Sequence, residues 1–138
     1  MARKEINYTI PESPNNRDSG KVFHIKEMPA SKAEWWAITA LLAMSKNGVE
    51  IPDGALEQGM ASMVKVGLEM VAKIPPQDAK PLLDEMMACV TFVPNPANPS
   101  IARPVIEDDI EEVTTRLKIR AEVFKLHVDF LSGVAASI

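Results

Sequence analysis

Between Arg17 and Ala43 the chain reads RDSGKVFHIKEMPASKAEWWAITALLA, which sets a strand, a sharp stop and a helix start side by side. Val22, Phe23 and Ile25 form a β-prone run after the turn residues Asp18, Ser19 and Gly20, and Pro29 closes it. Ser31 and Glu34 then have capping-box spacing. The serine hydroxyl can accept from the third helical N–H while the glutamate reaches back, so a helix is predicted from Ser31 to about Lys46, with Asn47-Gly48 as its left-handed stop. Upstream, Ile6, Tyr8 and Ile10 alternate with polar neighbours. With a turn-rich loop through Asn15, Asn16, Asp18 and Gly20, they predict an N-terminal β-hairpin that must lean on helices to be stable.

The prolines divide the remainder. A second helix is expected from Asp53 to Ile74, ended by Pro75-Pro76, with Leu56, Met60, Met63, Val64, Gly67, Met70, Val71 and Ile74 along one face. A third begins at Asp78, keeps Pro81 in its first turn and carries Leu82, Leu83, Met86, Met87 and Val90. The segment PNPANPSIARP from Pro94 to Pro104 admits no continuous helix or central strand and reads as a loop or extended arm. A last helix is predicted from Glu107 to about Ser132, with Ile110, Val113, Leu117, Ala121, Phe124, Val128 and Leu131 on its apolar face and a frayed tail after Gly133. The expected fold is therefore mainly α. It is a single four-helix domain with a small N-terminal β-hairpin, organised as hairpin and lead-in (1–29), helical core (30–92), Pro-rich arm (93–106) and C-terminal helix and tail (107–138).

At 138 residues, 46% hydrophobic and 25% charged, the chain can bury a core without staples. Its net charge of -4 works against phosphate backbones and anionic lipid, so neither nucleic acid nor membrane is an expected partner. One cysteine, Cys89, and the polar start MARKEINYT point to a reducing compartment, the cytoplasm.

Catalytic signatures do not emerge. His24 and His127 lack HExxH, CxxC or Asp-rich company, no glycine set makes a phosphate loop, and Cys89 in MMACV reads as a small core residue at a helix end. The acidic run from Glu107 to Glu112 is what a helix N-terminus favours. No metal, no cofactor and no enzyme activity are therefore expected. Trp35 and Trp36 stand about 100° apart on a helix, so one packs inward while the other stacks under the hairpin or serves an interface. Eight methionines, including Met60, Met63, Met70, Met86 and Met87, either fill a core or line an adaptable apolar surface. Trp36, Met60, Met63, Met86, Met87 and Phe92 are the candidate partner-binding residues.

The run from Arg17 to Ala43, GVEIP at Gly48 to Pro52, GMASM at Gly59 to Met63 and PLLDEMMACV at Pro81 to Val90 together resemble the tail assembly chaperones of long, non-contractile-tailed bacteriophages. The resemblance covers most of the first two thirds of the chain. It implies a protein of the host bacterial cytoplasm that binds the tape measure protein, helps recruit tail tube subunits and is absent from the mature virion; keeping the tape measure soluble, through an apolar groove and self-association, is the expected mode of action. Such families often also make a longer, frameshifted form. A structural tail component, such as a head–tail connector or tail terminator subunit, is the alternative expectation.

Overall fold

The computed structural model describes residues 3–49 and 72–137, with side chains through His127. Among these residues the chain forms two compact units, one made of Met1–Met28 and Met86–His127, the other of Pro29–Glu85 and Val128–Ile138.

The first unit is built on an antiparallel sheet of four strands in the order β1-β2-β3-β4: Glu5–Thr9, Val22–Lys26, Val90–Val93 and Arg103–Pro104. The predicted hairpin is its first half, in register Ile6 to Ile25 and Tyr8 to Phe23. Its loop is closed by the Ile10 N–H on the Lys21 carbonyl and the Gly20 N–H on the Ile10 carbonyl. Gly20 has φ +80°, a conformation that calls for glycine; a Cβ there would meet only the movable end of the Glu12 side chain, at 2.8 Å. Strand β3 then pairs with β2, Phe23 opposite Phe92 and Ile25 opposite Val90, and the two phenyl rings tilt against each other at 5.3 Å. β4 is two residues at the far edge, where Pro104 has no ladder N–H to offer.

Phe23, Ile25, Val90 and Val93 are buried in this sheet. The C-terminal helix of the chain, Val113–Ser137, buries Thr115, Ile119, Val123 and His127, a row at four-residue spacing. Burial, and then the Glu122 carboxylate of that helix, raise the pKa of the Tyr8 phenol. His127 ties the helix to Met28. Its Nε2 accepts the Met28 N–H at 3.0 Å and its Nδ1 lies 2.8 Å from the Val123 carbonyl, so the ring is neutral with its proton on Nδ1.

The second unit contains helix α1, Ala30–Lys46, and most of helix α2, Pro76–Met87, whose last two residues belong to the first unit; the helix Val113–Ser137 is α3. α1 stops as expected. Gly48 has φ +72°, its N–H meets the Ser45 carbonyl, and the Val49 N–H reaches back to Met44, whose side chain clusters with Val49 and Ile74.

Several expectations are corrected. The chain is not a four-helix domain with a hairpin: among the described residues it has three α-helices and a four-stranded sheet. Val90, expected on a helix, opens β3, because VTFV meets the free edge of β2 and is β-branched and aromatic. α1 starts one residue earlier than predicted, with Pro29 at its cap and no side-chain cap bond, so the Ser31 and Glu34 capping box does not form. Pro81 lies inside α2 rather than in its first turn. Glu107–Asp109 is a single 3-10 turn, and α3 begins only at Val113 and continues past Gly133. Val113 and Leu117, expected on its apolar face, are exposed. The predicted helix from Asp53 to Ile74 lies outside the described residues but for its last three.

Candidate interaction surface

Helix α1 is apolar on two opposite sides. Ala33, Trp36, Ala37, Ala40 and Met44 are buried, and the Trp36 indole Nε1–H donates to the Leu82 carbonyl of α2 at 3.0 Å. Three alanines in that row let another backbone approach closely, and Trp36 fills the remaining space with its one polar atom satisfied. About 100° per residue separates successive side chains, so Trp35, Ile38, Leu41 and Leu42 fall together in a sector about 120° wide on the reverse side. All four are exposed, Trp35 to 66% and Leu42 to 63%. A helix in a monomer ordinarily turns polar residues outward, so four exposed apolar residues on one face, with Ser31, Glu34 and Ser45 at its two ends, make an unusual surface.

The residues singled out in the sequence fall in different places. Trp36 is buried in the second unit at 9% exposure, and Met86 is buried in the first. Met87 is half-buried. Phe92 is half-buried, its ring tilted against Phe23 and covered by the Arg103 guanidinium at 4.9 Å from its ring centre. Met60 and Met63 lie outside the described residues. The stripe itself, with Trp35 rather than Trp36 at its head, was not anticipated. The signal was present in Ala33, Ala37 and Ala40, which align with Trp36 and so assign the inward side.

The acidic run before α3 gathers into a polar network in the first unit. Asp18, fully buried, accepts the Glu111 N–H at 3.0 Å, the Glu112 N–H at 2.9 Å and the Lys21 ammonium at 3.0 Å. Burial would raise its pKa, but these donors and the nearby Thr115 hydroxyl outweigh it and hold Asp18 down to about 2. The Thr115 hydroxyl is itself sealed from solvent and makes no hydrogen bond of ordinary geometry. Asp109 takes both arms of the Arg103 guanidinium at 2.7 and 2.8 Å, together with the Ile106 N–H, and its carboxyl is likewise held low, first by Arg103. Arg17 binds Glu112 at 2.7 Å and the Glu111 carbonyl at 2.9 Å. The network joins the hairpin loop to the start of α3, and Asp18, Asp109 and Glu112 are each committed to a cation or a backbone N–H.

Among the described residues no group of three or more His, Cys, Asp or Glu gathers to hold a metal ion, and no helix is long and apolar enough to cross a membrane. His24 pairs with Asn7 across the strands, Nδ1 to Oδ1 at 2.7 Å. No protein-family model, no curated protein and no solved structure matches the chain.

Proposed function

We propose that this chain is a non-enzymatic binding protein that serves as a tail assembly chaperone of a long-tailed bacteriophage, holding the tape measure protein soluble in the host cytoplasm while tail tube subunits are recruited. The observation that carries the reading is the exposed stripe of Trp35, Ile38, Leu41 and Leu42. It lies within the run from Arg17 to Ala43 on which the family resemblance rests. A tape measure is a long, largely helical and apolar polypeptide. Left bare it aggregates, and repeated weak contacts with apolar helix faces of many chaperone copies would cover it through avidity.

Co-expression with the tape measure gene of the same genome tests the proposal. The tape measure stays soluble and co-purifies with the wild-type chain, and it returns to the insoluble fraction with a Trp35→Ser/Leu42→Ser variant. Equal solubility of the tape measure without the chaperone, with no complex on pull-down, removes the reading. Proteomics of purified particles separates it from a connector or terminator subunit, which would be present in several copies per virion.

A further inference from the structure

The charges bordering the α1 stripe differ on its two sides. Lys32 and Lys46, both exposed, stand on the border next to Trp35 and Leu42, about 21 Å apart along the axis. The only acidic residue of α1, Glu34, lies toward the other border, in line with Leu41 but about 10 Å from it along the axis.

This arrangement discriminates among occupants. A second copy packed antiparallel with its stripe fully overlapping brings like borders together. Lys32 of each helix then lies level with Lys46 of the other, and the two like-charge pairs oppose docking. A second copy packed parallel brings opposite borders together, so Lys32 of each helix meets Glu34 of the other, but Lys46 finds no carboxylate and the two helix dipoles lie side by side in the same sense. A helix of a different polypeptide, with an apolar seam and carboxylates on the flank that meets Lys32 and Lys46, satisfies the stripe and both cations.

We propose that the outer face of α1 docks an amphipathic helix of another polypeptide whose acidic flank pairs with Lys32 and Lys46. This deepens the chaperone reading, on which it rests for the biological partner. Side-chain carboxylates spaced about four turns apart are then the recognition feature, and the apolar seam supplies the area.

Two synthetic peptides of about twenty residues test it, sharing a Leu/Ile seam and carrying either Glu or Lys on one flank. Titrated into the full chain by calorimetry, the Glu peptide should bind about tenfold more tightly than the Lys peptide, a preference that shrinks at high salt. Lys32→Ala/Lys46→Ala should erase the preference. Trp35→Ser/Leu42→Ser should abolish binding of both peptides while the circular dichroism melt stays unchanged. Equal binding of the two peptides, a preference that survives the double lysine variant, or no binding at all overturns the proposal. So does a concentration-dependent dimer in sedimentation that Leu42→Ser disperses, because the stripe then belongs to a second copy. If the peptide preference holds but the tape measure is unaffected, the docking surface stands and the chaperone reading falls. Should the Lys32→Ala/Lys46→Ala variant capture the tape measure as well as wild type does, the chaperone reading stands and the acidic-flank assignment falls.

Discussion

The Asp18 carboxylate receives the backbone N–H of Glu112 at 2.9 Å, across 94 positions of sequence, and so caps the start of α3 from the opposite end of the first unit. A helix start leaves its first N–H groups without internal partners, and here a distant aspartate supplies the oxygen that a neighbouring residue ordinarily provides. Asp18→Asn keeps the shape but loses the charge facing Lys21 and part of the acceptor capacity facing two buried N–H groups. It should lower unfolding free energy by about 3 kcal/mol, read as a lower urea midpoint. An unchanged midpoint would show the cap to be dispensable.

Acid should act through the same carboxylate. The folded chain holds Asp18 at about 2, below its value of about 3.9 in an unfolded chain. Stability from a depressed carboxylate is complete above the unfolded value and is lost as pH falls through the folded one. Between about pH 4 and pH 2 the chain should therefore lose about 2 kcal/mol through Asp18, with Asp109 adding in the same direction. Urea unfolding at a series of acidic pH values should show this slope in the wild type and a shallower one in Asp18→Asn.

The two tryptophans should separate stability from binding. Trp36→Phe removes the indole N–H from Leu82 and should cost about 1 kcal/mol, whereas Trp35→Ser on the exposed side should change stability by less than about 0.5 kcal/mol. Thermal melts measure both. In the Trp35→Ser chain the remaining indole is buried, so fluorescence should shift to the blue.

His127→Phe leaves the Met28 N–H without its acceptor inside the first unit. The expected cost is about 1–3 kcal/mol, with faster hydrogen exchange at the Met28 amide. Unaltered exchange there would mean that the ring nitrogen is not what protects it.

Gly48→Ala tests the α1 stop by backbone conformation alone. Nothing lies within 4 Å of a Cβ built at Gly48, so no clash arises, and the positive φ by itself should cost about 1 kcal/mol. A denaturant midpoint unchanged from wild type would contradict this.

What could be read from the sequence was what neighbouring residues decide. The hairpin, its turn and the Asn47-Gly48 stop each depend on groups a few positions apart, and all three are present. β3 was hidden because its partner strand lies far upstream, and a four-residue apolar run after MMAC carries no periodicity of its own. The inward row of α3 was missed for a different reason. Two of its members, Thr115 and His127, are polar by type, and the His127 hydrogen bonds that allow burial join the helix to a distant residue and to its own backbone. Asp109 likewise looked like one more acid at a helix start, until Arg103 and the Ile106 N–H turned it inward. At α1 the choice between Trp35 and Trp36 needed the alanine row, which identifies the close-packed side.

The sheet interleaves distant parts of the chain: β2 ends at Lys26 and the strand that pairs with it begins at Val90. On the ribosome the hairpin therefore emerges more than sixty residues before its missing neighbour, a wait of about 3–13 seconds at ordinary elongation rates. Through that interval the edge of β2 that β3 will occupy is an open ladder, and Phe23 and Ile25 still lack their cross-strand partners Phe92 and Val90. Synthesis of Pro29–Glu85 fills the delay, and the first unit can close only once His127 has emerged, with Val128–Ile138 of the second unit still to come.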